Sequence, residues 1–466
     1  MSEAKFDFGL IGLGVMGKNF ILNVADNGFS AIGYDLDQEK VDALIAEGDS
    51  ERVSATTELS SFLDQLALPR KIMLLVPAGK PVDAVIESLK PHLTKGDIII
   101  DGGNSFYTDT DRRFDYLAKE DIHFFGSGVS GGAKGSRKGP SIMPGGDKAA
   151  YEHIKPIFEA ASAKVNGEPC VAHLGNGSAG NYVKMVHNGI EYGLMQLISE
   201  AYDLMKNSLG MSNAEMKEVF EEWNSSELGS FLVEITADIL GRKDDEGDGD
   251  LVDAILDKAK QKGTGKWTSQ NSMDLGIPIP TIDAAVRMRE ISSFKNLRGE
   301  ASKLYPKTEA SVEVTVQNIK EGLYLAYIIT YAQGLQQLTE ASKEYNYELD
   351  LEVIAKIWRG GCIIRATFLE EIRQAYSRNS ELNNLLMDSQ IAEKVNPLIE
   401  SLEKTCSAGM RQGIPVSAFA ASLNYFNAFR SDRLPLNLIQ AQRDHFGSHT
   451  YERLDKPGIF HTEWED

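Results

Sequence analysis

Apolar residues in the first third of this chain fall in short runs instead of at helical spacing. Phe8–Ile11, Ser30–Asp35, Ile72–Val76, Asp97–Asp101 and His123–Gly126 read as strands, and stretches of helical periodicity separate them. Strand and helix in regular alternation predict a doubly wound, Rossmann-like α/β sheet. The segments that follow the strand ends carry Pro77-Ala-Gly79, Gly102-Gly-Asn104-Ser105 and Ser127-Gly-Val-Ser130-Gly131-Gly132. Ligands of such folds bind at that edge of the sheet.

Beyond about residue 178 the pattern changes to long helical stretches, which predicts a second, all-α domain. It contains an imperfect repeat. Gly193-Leu-Met-Gln-Leu-Ile-Ser-Glu-Ala returns as Gly334-Leu-Gln-Gln-Leu-Thr-Glu-Ala, Trp223 returns as Trp358, and Phe231-Leu-Val-Glu-Ile235 returns as Phe368-Leu-Glu-Glu-Ile372. Offsets of this size indicate duplication of a multi-helix unit. The last segment, from Leu436, holds aromatic residues with Arg443 and His449 and reads as a tail that packs against something else. The expected domains are therefore 1–178, 179–435 and 436–466.

One helical stretch stands out. Lys184, His187, Asn188, Glu191 and Tyr192 are spaced to share one face. Burying an amine, an imidazole, an amide, a carboxylate and a phenol together is costly unless a ligand satisfies them. Only the first copy of the repeat carries this face, so chemistry is expected there and packing or dimerisation in the second. Upstream, Gly12-Leu-Gly14-Val15-Met16-Gly17 follows the first apolar run and opens a helical pattern. In that context the glycines serve a tight turn, close approach to a pyrophosphate, and helix–strand packing.

Composition narrows the partners. The formal net charge is −20, from 48 basic and 68 acidic residues in 466, which disfavours nucleic acid and anionic membrane surfaces. Three separated cysteines, Cys170, Cys362 and Cys406, form no disulfide framework or zinc pattern and suit a reducing cytoplasm. The start, Met1-Ser-Glu-Ala-Lys-Phe-Asp-Phe, lacks signal-peptide layout. The acidic loop Asp244–Asp250 fails as a calcium loop because the twelfth position is Ile255, and no metal is expected.

Taken in order with Ile98–Ser105, Gly126–Gly132, Gly139–Gly146, Lys262–Thr268 and Asn437–Asp444, these motifs resemble the decarboxylating 6-phosphogluconate dehydrogenases along the whole chain. The wider β-hydroxyacid dehydrogenases share the glycine-rich start and a helix-borne lysine but not the phosphate-binding set. The resemblance implies NAD(P)-dependent conversion of 6-phosphogluconate to ribulose 5-phosphate and carbon dioxide in the pentose phosphate pathway. It implies Lys184 as base, with a pKa lowered by burial and a neighbouring positive site, and Glu191 as the acid that protonates the enediol. Asn104, Ser130, Gly131, Gly132, His187 and Asn188 would hold the carboxylate and hydroxyls. Tyr192, Lys262, Thr264 and Arg289 would hold the phosphate, with Arg443 and His449 from the partner's tail in a homodimer with shared sites.

Gly12, Gly14, Val15, Met16, Gly17, Asp35, Leu36, Asp37, Val76, Pro77, Ala78 and Asn104 would line the cofactor. Here the chain departs from the family. NADP-using members place an Asn-Arg-Thr-like sequence where this one has Asp35-Leu36-Asp37, and many place a lysine at Pro77; Ala133 stands where Glu is common. Asp35, 18 residues after Gly17, is placed to accept a ribose 2′-hydroxyl, and two carboxylates would repel a 2′-phosphate. The expected cofactor is NAD, with NADP, the usual family cofactor, as the alternative.

Overall fold

The computed structural model describes residues 5–306 and 310–464. Met1–Ala4, part of the start read above for a signal peptide, and the last two residues of the tail lie outside that range. A seven-stranded sheet of order β3-β2-β1-β4-β5-β6-β7 forms the first domain. Its strands are β1 (Phe8–Ile11), β2 (Ala31–Tyr34), β3 (Val53–Thr56), β4 (Lys71–Leu74), β5 (Ile98–Asp101), β6 (His123–Ser130) and β7 (Ser141–Gly145). The first six are parallel and β7 returns antiparallel on β6. Ile98 and Ile100 of β5 join one buried layer while Ile99 joins the other, because successive side chains leave a strand on opposite faces. With helices on both faces, a central strand has no polar side to show, which is why these strands read as unbroken apolar runs. Each isoleucine so buried contributes about 1.5–3 kcal/mol.

Three strands differ from the sequence reading, one of them β7, which lies outside the runs read as strands. β3 was not expected: only Val53 of its four residues is buried, so an edge strand left little apolar signal. β6 runs on to Ser130 where the sequence suggested an end at Gly126; its glycines mark close approach of a helix, not a turn.

The second domain is built on two long helices, Ala179–Asn207 and Val316–Glu344, each of 29 residues. Each is followed by two shorter helices, Asn213–Asn224 and Phe231–Gly241 in one unit, Leu351–Trp358 and Phe368–Arg378 in the other. The long helices pack against each other through the repeated glycine. A Cβ on Gly193 would stand 2.7 Å from Thr330, and one on Gly334 would stand 2.5 Å from Ile190, so each copy supplies the gap into which the other fits. Trp223 and Trp358 are both fully buried in the shared core. Among the described residues no helix is long and apolar enough to cross a membrane.

The tail comprises a helix, Leu436–Gly447, and a short hairpin of Tyr451–Glu452 with Ile459–Phe460. It is knotted about Asp444, whose fully buried carboxylate accepts from the backbone of Thr450 and Thr462 and from the side chains of His461 and Trp464. Burial opposes ionisation, but these bonds hold the carboxyl far below the usual carboxylate range.

Candidate active site

The first long helix lies directly on β6 and β7 through a seam of glycines. A Cβ on Gly128 would come within 2.3 Å of the Lys184 Cβ, one on Gly145 within 2.3 Å of the Gly180 nitrogen, and one on Gly180 within 2.2 Å of two strand carbonyls. Without side chains between them, strand and helix fix Lys184 close above Ser130, the last residue of β6.

The polar face behaves as its spacing suggests. Lys184 is 5% exposed and His187 is fully buried. The Lys184 Nζ lies 3.3 Å from His187 Nδ1, which lies 3.0 Å from Asn188 Oδ1; His187 Nε2 lies 3.3 Å from Ser130 Oγ. Asn188 Nδ2 donates in turn to Thr264 Oγ1 at 3.2 Å. Glu191 Oε2 stands 3.9 Å from His187 Nδ1, with its side chain partly open.

Burial lowers the Lys184 pKa, and the nearby Glu191 carboxylate opposes that shift. Among the described residues burial is what lowers it. Burial, with Lys184 adding to it, drives His187 well below its ordinary range, so the imidazole is neutral. Burial raises Glu191, opposed by Lys184 and Arg289. The helix therefore presents an amine biased toward its free base near a carboxyl biased toward its acid.

The second unit of the repeat does more than pack. After Trp358 the chain turns through Gly360-Gly361 and brings the Ile363 backbone N–H to Ser130 Oγ at 3.3 Å. The Trp358 ring lies edge-on to His187 at 5.5 Å between centroids, and Cys362, also buried, has its thiol pushed up to about 12 by burial, so it stays protonated. The sequence reading missed this wall; a double glycine interrupting a helical pattern was its available signal.

At the other end of the face, Tyr192 packs against Gly265, where a Cβ would intrude to 2.4 Å. The Arg289 guanidinium lies 3.3 Å above the Tyr192 ring. Thr264, buried, opens the helix Thr264–Asp274 beside Asn188, and Lys262 is exposed just before it. Arg443 and His449 are not gathered here. Among the described residues, every side-chain hydrogen bond of the tail runs within the tail, and its helix exposes Leu436, Leu438, Ile439 and Phe446.

The dinucleotide end matches its motif. Gly12 has φ +101°, and a Cβ on Gly17 would meet the Gly12 carbonyl at 2.0 Å. Gly14 precedes helix α1 (Val15–Asp26), no side chain caps that helix, and a Cβ there would meet nothing within 4 Å. Such an open, uncapped N-terminus suits a pyrophosphate. Asp35 Oδ2 accepts the Leu13 N–H at 2.8 Å, bracing the same loop. Leu36 is 83% exposed. Lys40, on helix α2 (Gln38–Glu47), lies 3.5 Å from Asp35 and 3.6 Å from Asp37, a cation the sequence reading did not weigh. Val76, Pro77, Ala78 and Asn104 sit on the neighbouring loops after β4 and β5, with Pro77, Ala78 and Asn104 exposed.

Those two loops are riveted by Arg113, 1% exposed. It donates to Asp83 at 2.8 Å, to the Gly79 carbonyl at 3.0 Å, and to Asp101 and Ser105 at 3.3 Å. Replacing Arg113 by Met is expected to cost about 3–5 kcal/mol of unfolding free energy, since Asp101 would remain buried without its cation. Urea denaturation measures this; a loss below about 1 kcal/mol would mean the pair is worth no more than a surface bridge.

Comparison with known proteins agrees with this geometry along the whole chain. Residues 7–175 match the model for the NAD binding domain of 6-phosphogluconate dehydrogenase, and residues 180–464 match the model for its C-terminal domain. A Bacillus subtilis relative named 6-phosphogluconate dehydrogenase, NADP(+)-dependent, decarboxylating, is 52% identical over 99% of each chain. The decarboxylating enzyme of Escherichia coli K12 is 47% identical over 99% of this chain and all of its own. The solved Plasmodium falciparum 6-phosphogluconate dehydrogenase, studied with NADP+ and with 6-phosphogluconate, superposes with a TM-score of 0.94 at 46% identity, over 98% of this chain and all of its own. A glycine-cradled dinucleotide loop, a buried lysine on a duplicated helical domain and end-to-end similarity of this degree make the chain a member of the 6-phosphogluconate dehydrogenase family.

Proposed function

We propose that this protein converts 6-phospho-D-gluconate to D-ribulose 5-phosphate and carbon dioxide with reduction of NAD, and uses NADP less well. The observation that carries the reading is the buried Lys184 amine with Glu191 two turns along the same helix, between the loops after β5 and β6 and the Arg289 end.

A dinucleotide held at Gly12, Gly14, Gly17 and Asp35 would supply the acceptor for the hydride at C3 of the sugar acid. Lys184, as free amine, takes the C3 hydroxyl proton as that hydride leaves. Its ammonium then hydrogen-bonds the new C3 carbonyl oxygen, which draws in the electron pair as the C1 carboxylate departs as carbon dioxide. Glu191 delivers a proton to the carbon left behind, and the enediol becomes the ketose. Ser130, Gly131, Gly132, His187, Asn188 and Asn104 orient the carboxylate and hydroxyls. Tyr192, Lys262, Thr264 and Arg289 hold the phosphate, joined by Arg443 and His449 from a second copy, whose exposed apolar tail helix is suited to burial in a homodimer. Arg and charge-assisted donors are the groups a phosphate dianion binds best.

NAD preference rests on Asp35 and Asp37, with Leu36 supplying no cation between them. Lys40 is shared between the two carboxylates. The reading sets this chain apart from the Bacillus relative, whose name specifies NADP.

Initial rates with NAD and NADP, with reduced cofactor and carbon dioxide both followed, test the reaction. One carbon dioxide per hydride is expected, with the larger kcat/KM for NAD. A larger value for NADP would overturn the preference alone; no reduction with either would overturn the reaction.

The pH profile tests the roles. Activity needs Lys184 neutral, so it rises as pH rises through the amine's lowered pKa. It also needs Glu191 protonated, so it falls as pH rises through the carboxyl's raised pKa. In Glu191→Gln the alkaline fall should vanish while turnover drops; persistence of that fall would remove Glu191 as the acid.

A further inference from the structure

We propose that Asn181 is a positioning residue that sets the distance between the Lys184 helix and the loop bearing Asn104. The inference rests on the reading above, in which Lys184 is the base and Asn104 lines the cofactor and orients the substrate.

Asn181 lies one turn before Lys184 and is 2% exposed. Its Oδ1 accepts from Thr110 Oγ1 at 2.8 Å, and its Nδ2 donates to the Gly103 carbonyl at 3.3 Å. Thr110 belongs to the helix Tyr107–Ala118 that leaves the Asn104 loop. One amide thus grips both the loop and the start of the helix behind it. Among the described residues it is the one side chain of the first long helix hydrogen-bonded to residues 102–106.

The fold makes room for this side chain at a specific cost. A Cβ on Gly126 of β6 would stand 2.2 Å from Asn181 Oδ1 and 2.6 Å from Thr110 Cγ2. Gly126 does not have a positive φ, so the turn chemistry of glycine does not account for it; the close approach of Asn181 and Thr110 does. Lys184 is fixed to the same strand two residues on, through Gly128. The base is therefore anchored to β6, the Asn104 loop follows β5, and Asn181 ties the second to the first. Aspartate at this site would keep the shape but lose the donor to Gly103, and alanine would lose both bonds.

Hydride transfer is steep in distance, and misplacement by about 1 Å can cost about 10²-fold in rate. Asn181→Ala should therefore lower kcat by about 10- to 100-fold, enlarge the primary deuterium isotope effect measured with 6-phosphogluconate deuterated at C3, and leave the KM for 6-phosphogluconate within about twofold. Thr110→Val removes only the hydroxyl that orients the amide and should shift kcat and the isotope effect the same way by less, which keeps the test decisive should Asn181→Ala fold poorly. A lowered kcat with an unchanged isotope effect, a raised KM with unchanged kcat, or near-normal kinetics in the folded variants would each overturn the proposal. Lys184→Met, assayed alongside, separates the two ideas: if it turns over normally, the catalytic reading itself has failed.

Discussion

Lys184→Met is expected to lower kcat by about 10³-fold or more, within the range that a positioned general base contributes. Methionine keeps the unbranched stem that packs against Gly128 and deletes only the amine, so the loss should belong to chemistry. 6-Phosphogluconate should still bind, because the residues proposed to hold its phosphate, Tyr192, Thr264 and Arg289, are untouched. Titration calorimetry with substrate, beside steady-state rates, reads both halves of the expectation. Turnover near that of the parent would show that another group takes the C3 proton. Loss of binding along with turnover would mean that the amine serves mainly to hold the substrate carboxylate.

The second large effect is expected at the cofactor. The pair Asp35→Asn and Leu36→Arg should shift the ratio of kcat/KM for NADP over NAD by about 10²-fold toward NADP. A like-charge juxtaposition costs several kcal/mol, and every 1.4 kcal/mol is a factor of ten. Asparagine keeps an oxygen for the Leu13 N–H, so the glycine loop retains its brace. The same change releases Lys40 from one of its two carboxylates, leaving it more positive toward a 2′-phosphate. An unchanged ratio, with normal folding, would place cofactor choice elsewhere in the chain.

The parallel sheet was legible because burial on both faces leaves strands such as Ile98–Asp101 uninterrupted by polar residues. The active-site face was legible for a related reason: a helix records its polar stripe at fixed spacing, and Lys184 to Tyr192 lie in one helix. What could not be read is what chain-distant segments do to one another. The double glycine Gly360-Gly361 marks a break in a helical pattern, but does not announce that Ile363 will reach Ser130, 233 residues away. Ser141–Gly145, outside the runs read as strands, ends in Pro-Gly yet forms a strand at an antiparallel edge, which tolerates proline. Burial of Lys184 was anticipated, but its proximity to Glu191 was not, because that depends on side-chain direction.

The glycine seam beneath the first long helix has a meaning for redesign. At residues 145 and 180 a Cβ would run into backbone atoms, which cannot shrink in compensation, and at 126 and 128 into the Asn181, Thr110 and Lys184 side chains on which the site itself depends. A library that varies these positions singly will return mostly unfolded protein, whatever activity is selected for. Substrate range is better sought where the walls are made of side chains, at Trp358 and Ile363 of the second unit and at the tail. There shape can change in small steps while the platform under the lysine stays as it is.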